Sequence, residues 1–169
     1  WGSPSGMAIV ADGDTTSFGP EDGEFEMYYS GGSTETVTPT FDLSDTESDL
    51  KLTLKHRYNF DYYSGMGTAY NGGQVLISTD DGDNWELFTP EGGYPGKMYN
   101  YAYYANPLYN QAGFVHCGDC TGVSGTASDN QDKYIETVFD MADYVGESEV
   151  KLKFQVGMYR YQYPGDGEH

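Results

Sequence analysis

From Leu50 to Phe60 apolar and polar side chains alternate without a break. Leu50, Leu52, Leu54, His56, Tyr58 and Phe60 fall on one side, Lys51, Thr53, Lys55, Arg57 and Asn59 on the other. Successive strand residues point to opposite faces, so period two over this length specifies a half-buried strand and conflicts with a helical period. Val150, Leu152, Phe154, Val156 and Met158 repeat the design against Lys151, Lys153 and Gln155. A third element runs from Tyr70-Asn71-Gly72-Gly73 through Gln74-Val75-Leu76-Ile77-Ser78 to Trp85. It reads as a glycine hinge, a buried strand, a tight acidic turn and a returning strand anchored by Trp85. Gly82 can supply the positive φ of the turn, and Asp80, Asp81 and Asp83 can bond the turn's own amides.

Shorter strands are expected over 24–30, 35–42, 73–79, 85–89 and 134–140, and the one helix-like piece, 141–145, is too short to form a layer. Strands joined by Gly-rich connections argue for an all-β chain, a two-sheet antiparallel β-sandwich or jelly roll. The length suits one domain over 1–169, with a long irregular insertion at about 90–132 where periodicity disappears. The abundance of Tyr (17) and Gly (23) fits pleated surfaces and tight turns.

The formal charge is −19, from 27 acidic against 8 basic residues. It excludes the usual electrostatic route to nucleic acid or anionic membranes, which reward clustered Lys and Arg. Such acidity suits a surface kept soluble in salt, or carboxylates gathered around Ca²⁺. No apolar run reaches membrane-spanning length. No signal peptide is visible and Trp1 is not an initiator Met, so the chain reads as a processed product or an internal piece. Lys51, Lys55, Arg57, Lys151 and Lys153 share the outward faces of the two long strands. If those strands are neighbours they form one basic stripe, expected to pair with acidic side chains on adjacent strands rather than to bind anions.

The order and spacing of several segments resemble the MAM-like jelly-roll domains appended to secreted peptidases of the immune inhibitor A type and to multidomain surface proteins. Trp1-Gly2-Ser3-Pro4-Ser5-Gly6 is similar to the family's opening WGxPxG, and Thr38-Pro39-Thr40-Phe41-Asp42-Leu43-Ser44 to its SPxFDLS. Leu52 to Tyr58 resembles LSFWHxY, with Lys55 where an aromatic is usual, and Asn71 to Trp85 resembles DGGxVxxSTDGGxTW, with Asn71 for Asp. Asn106-Pro107-Leu108 and Ala112-Gly113-Phe114 fall at the NPLxGxxxF loop, and Phe139 to Val156 resembles VDLSAYAGQxVxxRFxF. Family members continue into a GWYIDDV strand that this sequence stops short of at His169. The resemblance implies a non-catalytic extracellular domain serving adhesion, targeting or assembly in a secreted or cell-surface protein. The absent closing strand raises an alternative, a filament or surface-layer subunit joined by strand donation.

Ser78 to Trp85 also resembles an Asp-box hairpin, a fold signature more often than a site. Asp12, Asp14, Glu21, Asp22 and Glu24, with Asp61 after the long strand, are candidate Ca²⁺ ligands, although no EF-hand pattern is present. Cys117-Gly118-Asp119-Cys120 suits a local disulfide in a secreted chain. A zinc site would draw on His116, Cys117 and Cys120 with His56 or His169, and a redox pair would need a βαβ setting. Catalysis has little support, with 3 His and neither a G-x-S-x-G elbow nor an H-E-x-x-H helix. Tyr94, Tyr99, Tyr101, Tyr103, Tyr104 and Tyr109 form a candidate binding or interface surface, able to stack on sugar rings as a carbohydrate-binding module or to fill a protein contact. The expected partners are therefore a protein, a second copy of the chain, or a glycan.

Overall fold

The computed structural model describes residues 7–11, 25–29, 33–46, 48–56, 58, 60, 62–63, 68–99, 104–115, 135–158 and 160–161, with backbone alone at 7–11, 25–29, 62–63, 68, 104–105 and 160–161. Its strands are β1 (Met7–Ala11), β2 (Phe25–Tyr29), β3 (Thr34–Val37), β4 (Lys51–His56), β5 (Tyr62–Tyr63), β6 (Thr68–Ala69) and β7 (Gly72–Ser78). They continue with β8 (Glu86–Leu87), β9 (Gly96–Lys97), β10 (Tyr104–Ala105), β11 (Ala112–Gly113), β12 (Ile135–Asp140), β13 (Lys151–Gly157) and β14 (Arg160–Tyr161). The chain is all-β with antiparallel ladders, and the helical content of the described residues is one 3-10 turn, Ala142–Tyr144.

The largest sheet has the order β3-β13-β7-β8, and β4 pairs with β12 in a separate ribbon. Alternation decides what each face carries. In the ribbon, Leu52 stands opposite Phe139, Leu54 opposite Thr137 and His56 opposite Ile135. In the sheet, Leu152 stands opposite Ile77 and Phe154 opposite Val75. These faces meet in one core, where Val75, Ile77, Phe88, Phe114, Phe139, Met141, Val150 and Leu152 are buried. Phe88 and Phe139 stack at 4.7 Å within it. Each such side chain, fully buried, contributes on the order of 1.5–3 kcal/mol. A ribbon packed over a four-stranded sheet is consistent with a β-sandwich.

The two long alternating strands are not neighbours, so the single basic stripe does not form. Each described lysine of that set finds acidic company locally. Lys51 meets Glu91 at 2.6 Å, Lys151 meets Asp81 at 2.7 Å, and Lys153 lies 3.7 Å from Glu35 with its ammonium 4.3 Å above the Trp85 ring. Lys55 stands opposite Glu136 in the β4–β12 register. Arg57 lies outside the described residues.

The stretch expected to be irregular from about 90 holds short strands. β9 pairs with β11, and Phe114 bridges to Gly73 of β7. Ladders of two residues are too short to print a period on the sequence. This segment lies against one end of the sheet through a second buried cluster, Ala69, Met98, Leu108 and Val115. The glycines there serve close approach rather than hinging. A Cβ on Gly72 would sit 2.7 Å from Val115 Cγ1, and one on Gly96 2.9 Å from Val115 Cγ2.

Candidate functional site

The acidic hairpin turn is occupied with its own structure. Ser78 Oγ donates to Asp80 Oδ1 at 2.7 Å and accepts from the Gly82 amide at 2.9 Å. Asp80 also accepts from the Asn84 amide at 2.8 Å and from Asn84 Nδ2 at 2.6 Å. These bonds, the Asn84 side chain first, hold the Asp80 carboxyl down to about 2. Asp81 takes φ 57° and Gly82 φ 100°, the left-handed pair that the turn requires. Asp81 turns outward, accepting from Thr40 Oγ1 at 2.7 Å and pairing with Lys151. Ser78, Asp80 and Asn84 are thus committed to the turn; of the aspartates expected to bond its amides, Asp80 does so, while Asp81 pairs with Thr40 and Lys151 instead.

His56 lies on the inner side of β4, its Nε2 2.9 Å from Thr137 Oγ1 and its ring 4.4 Å from Phe114 and 5.7 Å from Tyr58. Burial pushes the imidazole down to about 4, so it is neutral in the folded chain at pH 7. Its folded pKa lies below the unfolded value of 6.5, so the unfolded chain binds the extra proton first. The stability tied to neutral His56 is complete above pH 6.5 and is lost as pH falls toward 4. Urea midpoints measured between pH 7.5 and pH 4 should fall through that window, and His56→Gln, which cannot titrate, should flatten the fall. An equally steep fall in the variant would assign the transition to other groups.

The tyrosines divide. Tyr94 is half-buried, and its hydroxyl donates to Phe88 O at 2.7 Å and accepts from the Val75 amide at 3.0 Å. Burial pushes that phenol up to about 12. Tyr94 therefore belongs to the core packing, not to a free surface. Tyr99 and Tyr109 are 44% and 51% exposed, edge to face with centroids 6.4 Å apart. Their backbone is fixed: the Tyr99 amide donates to Ala69 O at 2.8 Å, the Met98 amide to Gln111 O at 3.1 Å and the Asn110 amide to Met98 O at 2.8 Å. Asn110, shortly before β11, takes φ 62°. Tyr101 and Tyr103 lie outside the described residues, as does the side chain of Tyr104.

Asp12, Asp14, Glu21, Asp22, Glu24, Asp61, His116, Cys117, Cys120 and His169 also lie outside the described residues. Among the described residues no group of three or more His, Cys, Asp or Glu is arranged to hold a metal ion, and no helix is long and apolar enough to cross a membrane.

Sequence reasoning missed the outer face of the four-stranded sheet. Gln155 stands opposite Glu35 on one side and Gln74 on the other. Gln74 Nε2 donates to both Gln155 Oε1 and Gln111 Oε1 at 2.9 Å, and Gln155 Nε2 donates to Glu35 Oε2 at 2.8 Å. Gln74 is 2% exposed, and among the described residues its Oε1 has no hydrogen-bond donor. The next register row is Val37, Lys153, Leu76 and Leu87. The available signal was Gln74 itself, a polar residue opening a run of Val75, Leu76 and Ile77. No protein family, curated protein or solved structure is matched by this chain.

Proposed function

We propose that this chain is a non-catalytic, MAM-like jelly-roll binding domain of a secreted or cell-surface protein. One observation carries the reading: Tyr99 and Tyr109 stand exposed as an edge-to-face pair on segments beside β9 and β11 that are held by backbone hydrogen bonds. A tyrosine offers an apolar ring with a polar tip, and holding it rigid removes the entropy that a ligand would otherwise have to offset. The pair is therefore suited to be the centre of a contact, where a few aromatic residues dominate the energy. The commitment of Ser78, Asp80 and Asn84 to turn structure and the sequestered, neutral His56 fit the absence of a catalytic role.

The test compares the wild-type chain with the Tyr99→Ala, Tyr109→Ala double variant for retention on immobilised extracellular polysaccharides and matrix proteins. The double variant should lose about tenfold or more in affinity at unchanged melting temperature. Equal retention of the two proteins would remove the tyrosine pair from the contact. Turnover of a peptide or glycan by the purified chain would overturn the non-catalytic assignment.

A further inference from the structure

We propose that the outer face of the four-stranded sheet binds a neutral oligosaccharide along the row Glu35, Gln155, Gln74 and Gln111. The proposal rests on the binding-domain reading and names the ligand class and the residues that read it.

The row crosses the sheet at strand spacing. Glu35 lies on β3, Gln155 on β13 and Gln74 on β7, and Gln111 reaches in from just before β11. Glu35, Gln155 and Gln74 span two steps of strand spacing, about 10 Å, and the Gln111 side chain extends the row beyond Gln74. That span suits several linked sugar rings rather than one. Planar amides and carboxylates offer paired donors and acceptors, the geometry that adjacent hydroxyls on a sugar ring match.

The row is also oriented. Gln74 gives its NH₂ group to the carbonyls of both neighbours, which leaves their own NH₂ groups directed away from it. That of Gln155 points to Glu35, whose side chain is 53% exposed, and Gln111 is exposed at the opposite end. Gln74 Oε1 is a buried acceptor lacking a donor, which native interiors seldom tolerate. A ligand hydroxyl anchored by the exposed Gln111 amide supplies that donor.

The flanks agree with a sugar. Val37 and Leu87, 40% and 39% exposed, stand at the two ends of the adjacent row and offer apolar contacts for ring C–H faces. Gln111 follows Tyr109 by two positions, so the tyrosine pair leads directly into the row. Charge selects against acidic glycans. The chain carries −19, Glu35 stands in the row, and the Lys153 ammonium is shared between Trp85 and Glu35.

The test is calorimetric titration of the full chain with neutral gluco- and manno-oligosaccharides from monomer to hexamer, and with an oligogalacturonate as the acidic control. Trimers or longer of at least one neutral series should bind and monomers should not. Gln111→Ala and Glu35→Gln should each weaken that binding about tenfold or more at unchanged melting temperature. Equal or tighter binding of the acidic control overturns the proposal, as does indifference to every neutral oligosaccharide. Binding that survives both substitutions but is lost in the Tyr99→Ala, Tyr109→Ala variant overturns the amide row and leaves the binding-domain reading standing. Retention on the matrix-protein panel decides that wider reading separately.

Discussion

Replacing Asn106 with alanine is expected to cost about 4 kcal/mol of folding stability. Asn106 is 3% exposed and brackets three chain segments at once. Its Nδ2 donates to Tyr70 O at 2.6 Å and to Gly157 O at 3.1 Å, and its Oδ1 accepts from the Leu108 amide at 2.7 Å. Alanine removes all three partners together, and each group left behind costs about 1–3 kcal/mol where water cannot replace the bond. Leu108 would loosen with it, and Leu108 is part of the small cluster that lays the 96–115 segment against the sheet. Urea unfolding measures the loss, and a change below about 1 kcal/mol would mean that the bracket is dispensable. Asn106→Asp adds a sharper check. A carboxylate there faces two carbonyl oxygens, so its protonated form is favoured in the folded chain and its pKa rises on folding. The variant should therefore gain stability, relative to wild type, as pH falls from 7 toward 5. A variant that gained stability on going to higher pH would contradict the donor role of Nδ2.

The legible part of this fold was local. Period two announced β4 and β13 because a strand's inner and outer faces are written in adjacent residues. The hairpin turn was legible for the same reason, since Ser78, Asp80, Gly82 and Asn84 satisfy one another within a few positions. What could not be read was partner choice. Lys51 and Lys151 look alike in sequence, yet one stands on the ribbon and the other in the sheet, and their acidic partners, Glu91 and Asp81, lie on connecting segments. Gln74 likewise gains its meaning from Gln111 and Gln155, residues distant in sequence that the register brings beside it. Tyr94 and Tyr109 are both tyrosines in one apparently irregular stretch, and only the packing of Phe88 and Val75 turns the first inward. Composition could name the tyrosines as candidates for a contact surface, but not choose among them.

The second large effect is expected at Gly113, which the sequence offers as an ordinary loop glycine. A Cβ there would lie 2.5 Å from Gly73 O and 2.9 Å from Met98 Cε. The first contact is with backbone, which cannot rotate away as a side-chain end can. Either β11 moves off β7 or the bridge opens, and that bridge consists of the Gly73 amide donating to Phe114 O at 3.0 Å and the Phe114 amide donating to Gly73 O at 2.7 Å. Overpacking of this kind typically costs 1–3 kcal/mol, and the lost bridge adds to it, so Gly113→Ala should lose about 3 kcal/mol or more. Gly146 provides the contrast. A Cβ there meets nothing within 4 Å, but its φ of 95° strains any L side chain, so Gly146→Ala should lose about 1 kcal/mol. Both variants can be compared by urea unfolding, and hydrogen exchange tells the two causes apart. Loss at Gly113 should expose the amides of Gly73 and Phe114 first, because the strain falls on the bond they share. If those amides stay protected while the whole chain weakens evenly, the close approach of β11 to β7 is not what demands glycine. The same variant bears on the proposed binding, because Tyr109 and Gln111 directly precede β11. Ligand affinity should fall with the loosening of that bridge, even under conditions where the core around Phe139 remains folded.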